Sequence, residues 1–271
     1  MESKIFKATN TLDGYLPELC YTKDKQEAEF ILVGGKAFDL DEFPKLKGVF
    51  KTGVGTDNLP FEEAQRRGVR IGLPSEKTCG LIHDETAAFT CHLILSVIFA
   101  GCGDWDSWAK ADRQMTSNRR LLVIGAGNIG GRVASKMSGL MSVTTFDSMK
   151  DEEGDLEGLV RQADCISLHI PLNRSTAGYF GSEKLSWMKD GAALVNTARG
   201  PVVDEDALYA ELSQGRIRAA FDVYWTEPYR GRLCDLPTDR FIRSPHIAST
   251  CREFLQGTAS DFLEYLEQAG R

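Results

Sequence analysis

The chain has no surplus of positive charge: across 271 residues, 32 Lys and Arg face 39 Asp and Glu, a formal net charge of −7 at pH 7. With no long basic stretch to meet a phosphate backbone, nucleic acid is not expected as a partner. Long apolar runs are missing as well. The longest, 93–100, is interrupted by Ser96, whereas a membrane-spanning helix needs roughly 18 or more apolar residues, so no membrane is expected as a partner. Glu2, Lys4 and Lys7 stand where a secretory signal would place its apolar segment, and the expected location is cytoplasmic. The seven cysteines, at 20, 79, 91, 102, 165, 234 and 251, form no CxxC and are odd in number, which excludes a disulfide framework and points to no metal site. No internal repeat has a fixed period. The 42% hydrophobic and 26% charged residues are those of an ordinary folded chain, and at about 150 residues per domain the length suggests two modest domains.

Short β-branched and aromatic runs alternate with stretches of helical period, the pattern of βαβ units around a parallel sheet. Strands are expected at 30–33, 48–54 and 69–72, with a helix at 61–67 whose first turn tolerates Pro60. A long helix over 84–100 leads into a polar connector, 101–120, with a helical piece at 105–111. Strands then recur at 121–124, 143–146, 165–168, 193–196, 219–223 and 241–243, with helices at 128–138, 182–188 and 205–214. A last helix over 252–267 is positioned to pack back on the N-terminal part. The expected class is α/β, with two doubly wound domains: 1–83 plus 252–271, and 84–251.

The segment LLVIGAGNIGGRVA sets Gly125, Gly127 and Gly130 as G-x-G-x-x-G after an apolar strand and at the start of a helix. Glycines there permit a tight turn and close approach of the backbone to a pyrophosphate, and the first amides of the helix, including Asn128 and Ile129, face the anion. The next strand ends in Asp147, 17 residues beyond Gly130. A carboxylate at that point accepts hydrogen bonds from both adenosine ribose hydroxyls and repels a 2′-phosphate. The cofactor expected is therefore NAD rather than NADP.

Three later segments each place a polar residue after an apolar strand, where ligands of open α/β sheets gather. They are Arg199 in LVNTARGPVVDEDAL, Glu227 in AAFDVYWTEP and His246 in SPHIAST. A guanidinium grips a carboxylate with two parallel bonds. An imidazole exchanges a proton near neutral pH, and a carboxylate beside it orients the ring and raises its pKa.

With these residues in hand, the chain resembles the D-isomer-specific 2-hydroxyacid dehydrogenases, a family that includes phosphoglycerate, hydroxypyruvate and D-lactate dehydrogenases. The matching segments are GVGTDNLP (53–60), DETAAF (84–89), GAGNIGGRVA (125–134), SLHIPLNRSTAGYF (167–180), LVNTARGPVVDEDAL (194–208), DVYWTEP (222–228) and SPHIAST (244–250). They occur in the family's order. The resemblance implies a Rossmann NAD-binding domain and a smaller flavodoxin-like substrate domain. It implies hydride transfer between nicotinamide and C2 of a small 2-oxo or 2-hydroxy acid, D-specific. Arg199 would hold the substrate carboxylate and carbonyl, His246 would be the acid/base and Glu227 its partner. The backbone of Val54 and Gly55 would help bind the carboxylate. Asp222 would lie beside the nicotinamide carboxamide, Thr197 would contact the cofactor, Thr86 would approach the nicotinamide or the pyrophosphate, and His169 would line the adenine or pyrophosphate side.

The chain is shorter than usual members in its N-terminal part, in the connector 101–120 and after Asp147. The connector often contributes to the dimer interface, and a homodimer is the assembly implied. The segment ILVGGKAFDL lacks an arginine frequent in phosphoglycerate-type members, which favours a smaller substrate such as glyoxylate, hydroxypyruvate or pyruvate. Two alternatives share the trio by resemblance: a phosphite-oxidising dehydrogenase, and a non-catalytic NAD(H)-sensing binding protein like the corepressors of this fold. His92, in an apolar helical run, reads as structural, and Lys36 and Lys51 read as solvated. Trp225 is compatible with either a pocket wall or core.

Overall fold

The computed structural model describes residues 4–269. The chain divides into two compact units, one of residues up to Ile82 with those from Thr250 onward, the other of His83–Ser249. The first unit contains β1 (Ile5–Lys7), β2 (Tyr21–Thr22), β3 (Phe30–Val33), β4 (Gly48–Lys51), α1 (Phe61–Arg67) and β5 (Arg70–Gly72). Its strands are all parallel, in the order β2-β1-β3-β4-β5, the flavodoxin-like winding. Strands β3 and β4 are buried along their whole length, which is why FILV is an unbroken apolar run rather than an alternating one. The C-terminal helix, Arg252–Ala269, packs Phe254, Leu255, Ala259 and Phe262 into a core with Ile5, Phe30, Leu32 and Phe50.

Helix α2 (Glu76–Phe99) passes from the first unit into the second. It starts at 76 instead of the expected 84 because Ser75 Oγ accepts the amide of Thr78 at 3.3 Å and opens the helix there. Among the described residues it is the one helix long and apolar enough, by length and composition, to cross a membrane. In the second unit its Ala87, Leu93, Ile94, Val97 and Ile98 are buried in the core.

The second unit continues with β6 (Gly103–Asp104), β7 (Ala109–Lys110), β8 (Arg120–Ile124), α3 (Asn128–Met137), β9 (Ser142–Phe146), α4 (Glu153–Gln162) and β10 (Cys165–Leu168). It then adds α5 (Ser182–Trp187), β11 (Ala193–Asn196), α6 (Glu205–Ser213), β12 (Arg218–Phe221) and β13 (Phe241–Arg243). Six of these strands form a parallel sheet in the order β9-β8-β10-β11-β12-β13. This is a Rossmann sheet without its outermost strand: β9 is an edge, and α4 leads from it across β8 to β10. Alternate residues of the strands serve opposite layers. Leu121, Val123 and Val195 meet α2 and α3, whereas Leu122, Ile124 and Leu194 meet α4, α5 and α6.

The helical piece expected at 105–111 is a hairpin, β6 paired antiparallel with β7. Asp104 Oδ1 accepts both the amide and the hydroxyl of Ser107 at 2.6 Å, and this side-chain turn outcompetes a helix. Trp105 and Trp108 pack edge to face at the hairpin, 5.1 Å apart. Helix α4 lies in the acidic stretch after Asp147, where the sequence gives no expectation of one. Glu153 and Asp155 occupy its first turn, where negative charge suits the helix dipole, and Leu156 and Val160 supply a one-stripe buried face. Strands β1 and β2 are likewise additions, too short for any periodicity to register. Strands β4 and β12 stop at Lys51 and Phe221, earlier than expected, because the chain leaves the sheet to form site loops.

The Phe262 ring is fully buried, 5.2 Å from that of Phe50. Phe262→Ala is expected to lower the stability of the first unit by about 3–5 kcal/mol in urea unfolding; an unchanged midpoint would show that this aromatic contact does not support the unit.

Candidate active site

All six strands of the large sheet end, at their carboxyl edge, in residues singled out from the sequence. Gly125 follows β8, Asp147 follows β9 and His169 follows β10; Thr197 and Arg199 follow β11, Asp222 follows β12 and His246 lies just beyond β13. The chain leaves β8 for β9 on one side and returns to β10 on the other, so the topological switch lies at the glycine turn.

At that turn Gly125 has φ +93°, a left-handed conformation that suits glycine. A Cβ on Gly130 would lie 1.9 Å from the Gly125 carbonyl oxygen, so only a glycine lets the helix start this close to the strand. Gly127 caps α3 without any side-chain hydrogen bond, and the space where its Cβ would be is open. The first amides of α3, those of Asn128, Ile129 and Gly130, thus meet no capping side chain. Asp147 reaches across from β9, its Oδ2 accepting the Ala126 amide at 3.2 Å and its Oδ1 the Met149 amide at 3.1 Å. An uncapped helix start, an open glycine and a carboxylate at the neighbouring strand end are the parts a dinucleotide requires, and they fit one. His169 sits beneath the turn, its Nε2 2.8 Å from Ser167 Oγ, and burial pulls its pKa down to about 4, so it is neutral. Among the described residues no group of three His, Cys, Asp or Glu side chains is placed to hold a metal ion.

On the other side of the sheet the structure gathers Arg199, Glu227 and His246. His246 Nδ1 donates to Glu227 Oε2 at 2.7 Å, and Glu227 Oε1 accepts the Tyr224 amide at 3.1 Å. The two side chains are 42% and 39% exposed, so they remain open to a small molecule. The bond to Glu227 raises the His246 pKa above the usual 6.5, against burial, with the charges of Glu227 and Asp222 adding and that of Arg199 opposing. Burial pushes the Glu227 carboxyl up, but the His246 bond and charge, the Tyr224 amide and the Arg199 guanidinium together hold it below its usual value. Arg199 therefore bears electrostatically on both members of the pair.

The loops that carry them are locked to one another. Gly200 packs so closely on the next loop that a Cβ would lie 2.1 Å from the Tyr224 carbonyl carbon. Buried Asn196 shapes the turn before it, accepting the Ala198 amide and donating to the Arg199 carbonyl. Asp222, fully buried, accepts the Ser244 hydroxyl at 2.6 Å and the amides of Ile247 and Ala248 at 2.9 Å. Between those amides and Ser244, His246 is held at φ +55°, a conformation that costs a side-chain-bearing residue about 1–3 kcal/mol. Thr197 Oγ1 lies 2.8 Å from Thr90 Oγ1, which itself donates to the Thr86 carbonyl, and so ties the end of β11 to α2.

Val54 and Gly55 belong to the first unit, on the loop after β4. Lys51, expected to be solvated, is buried there, its Nζ donating to the Gly34 carbonyl and to Asn58 Oδ1 at 2.6 and 2.8 Å; Lys36 is exposed. Trp225 is half-buried and packs on Phe221, its Nε1 bound to the Val203 carbonyl. Gly200, Tyr224 and Ser244 escape sequence reasoning, because their roles are contacts between loops remote along the chain, and Asn196 escapes it because its bonds to Ala198 and Arg199 shape a turn with no marker beyond the residue itself. Only the small or amide side chains beside Arg199 hint at a tightly shaped turn.

The family model described as "D-isomer specific 2-hydroxyacid dehydrogenase, NAD binding domain" matches residues 100–248. The chain is 31% identical to a hydroxypyruvate reductase of Thermotoga maritima over 81% of its own length and 76% of the relative's. It is 33% identical to a glyoxylate reductase of Korarchaeum cryptofilum, covering 78% and 69%. Among solved structures it resembles a protein of Thermus thermophilus, with 26% identity, a TM-score of 0.78 and coverage of 99% and 97%. The fold is also shared by a D-lactate dehydrogenase of Aquifex aeolicus complexed with NAD and lactic acid, at 24% identity, a TM-score of 0.78 and coverage of 98% and 94%.

The raised pKa of His246 stabilises the fold fully below pH 6.5 and ceases to do so as pH rises through its folded value; lowered Glu227 contributes above its usual 4.5 and fails as pH falls through its own. NMR titration of the His246 ring is expected to give a midpoint above 6.5, and Glu227→Gln is expected to lower it. An identical midpoint in the variant would mean that the bond does not set it.

Proposed function

Since the chain belongs to the D-isomer-specific 2-hydroxyacid dehydrogenases, an NAD-dependent family of oxidoreductases, we propose that it reduces a small 2-oxo acid, glyoxylate or hydroxypyruvate, to the 2-hydroxy acid. The observation that carries this reading is the 2.7 Å bond between His246 and Glu227 within the field of Arg199. The substrate size is supported by relatives named hydroxypyruvate and glyoxylate reductases, and by the lack of an arginine after β3.

In this reading the second unit holds NAD, and its Arg199 and His246 meet the substrate. The amides of Asn128, Ile129 and Gly130, beside Gly125 and Gly127, receive the pyrophosphate; Asp147 takes the adenosine ribose and disfavours a 2′-phosphate; neutral His169 lines the turn. Thr197 and Asp222 serve the nicotinamide end. The bound nicotinamide supplies the hydride that goes to C2. Arg199 binds the carboxylate and draws electrons toward the carbonyl oxygen. Glu227 keeps the proton of His246 on Nδ1, so the proton leaves from Nε2 and is transferred to the oxygen as charge develops there. In the reverse direction neutral His246 takes that proton back. The assembly proposed is a homodimer, supported by the unusual exposure of Trp105 and Trp108, 81% and 67%, on the β6–β7 hairpin.

A panel of glyoxylate, hydroxypyruvate, pyruvate and phosphite tests the activity. NADH oxidation with one of the first two is expected, faster than with NADPH, falling as pH rises through the His246 value while alcohol oxidation rises. Arg199→Ala is expected to raise KM and lower kcat by at least about 100-fold in kcat/KM. NADH binding without turnover of any acid would instead identify a sensor, and NAD reduction by phosphite alone a phosphite dehydrogenase. For assembly, sedimentation is expected to show a dimer that the double substitution Trp105→Ser and Trp108→Ser converts to monomer; a dimer that persists would place the interface elsewhere.

A further inference from the structure

Tyr224 touches each of the three loops that carry Arg199, Glu227 and His246. Its amide donates to Glu227 Oε1 at 3.1 Å. Its hydroxyl donates to the Ser244 carbonyl at 2.9 Å, two residues before His246, and shares that proton with the Phe221 carbonyl at 3.1 Å, at the end of β12. Its carbonyl carbon is the atom against which Gly200 packs. The ring is half-buried and stacked on Tyr229, with centroids 5.0 Å apart and planes 17° from parallel. Burial and the Asp222 charge push the phenol pKa up to about 12, so the hydroxyl is a donor throughout the working range.

We propose that Tyr224 is a positioning residue for proton transfer, its hydroxyl fixing the segment that holds His246 left-handed while its amide fixes the carboxylate that His246 must meet. Asp222 pins this segment from the far side of His246, at Ile247 and Ala248, and also takes the Ser244 hydroxyl. The Ser244 carbonyl receives the Tyr224 hydroxyl. That carbonyl also accepts the His246 amide at 3.1 Å, so without the Tyr224 bond the turn at His246 loosens although Asp222 and the Phe221 carbonyl still hold Ser244, and the His246 ring loses its alignment with Glu227. The role rests on the proposed function of the trio, but the geometry it sets can be measured without turnover.

The test is Tyr224→Phe, which keeps the stacked ring and both backbone contacts and deletes only the hydroxyl. In the reductive reaction kcat is expected to fall about 10-fold, the cost of a His246 ring held less well aligned for proton transfer, with NADH affinity and KM for the acid within about 2-fold. The fall of activity with rising pH is expected to shift to lower pH, and NMR titration is expected to show the His246 midpoint moving down toward 6.5. A lower Tm with the kinetic limb and the His246 midpoint both unmoved would overturn the proposal, leaving the hydroxyl a structural bond only. If the parent chain turns over no 2-oxo acid, the functional reading fails on its own, and the His246 midpoint in the two proteins decides the role of Tyr224.

Discussion

The arrangement depends on a buried carboxylate. Asp222 sits at the end of β12 with no exposed surface, and it keeps its place because three donors meet it: the Ser244 hydroxyl and the amides of Ile247 and Ala248. A buried carboxylate without partners would cost several kcal/mol, so the loop after β13 cannot leave without stranding it. That constraint also accounts for the left-handed His246. One residue's backbone strain, about 1–3 kcal/mol, is smaller than the combined worth of three bonds to a carboxylate, each about 1.5–3 kcal/mol. The strain is a consequence of turning the chain sharply enough for both amides to reach Asp222 while the imidazole points back to Glu227.

The same logic of loops held by loops extends to Arg199. Gly200 lets its loop come close to the loop that carries Glu227, by having no Cβ where the Tyr224 backbone passes. Asn196 then closes the turn from inside with two hydrogen bonds. The sheet supplies parallel strand ends side by side, and the short connections past those ends convert that regular spacing into a cluster with directed charge. The same unit keeps two clusters apart. The glycine turn and Asp147 lie around β8 and β9, whereas the His246–Glu227 pair lies beyond β12 and β13.

Much of this was legible in the residues. The strands at 30–33, 165–168 and 193–196 were readable because they are buried along their whole length and, Ser167 and Asn196 apart, apolar, and the strand ends of the second unit pointed to Gly125, Asp147, Arg199, Glu227 and His246. What escaped had no local signal. The hairpin at 103–110 carries tryptophans that look amphipathic, and only the Asp104–Ser107 turn decides against a helix. Lys51 looked solvated because lysine usually is, but its ammonium meets Gly34, on the loop after β3, and Asn58, seven residues on in the loop after its own strand. Asp222 could be placed at a strand end from its position, but not as the clamp on His246, since its partners lie more than 20 residues away.

In the proposed reaction this framework directs hydride to C2 of a 2-oxo acid while His246 supplies the proton. NADH carrying deuterium at both C4 positions, incubated in ordinary water with glyoxylate and, separately, with hydroxypyruvate, tests it by NMR of the product. Glycolate or glycerate with a single deuterium at C2 is the result expected, and either product free of label, or bound NADH with neither product formed, would contradict it.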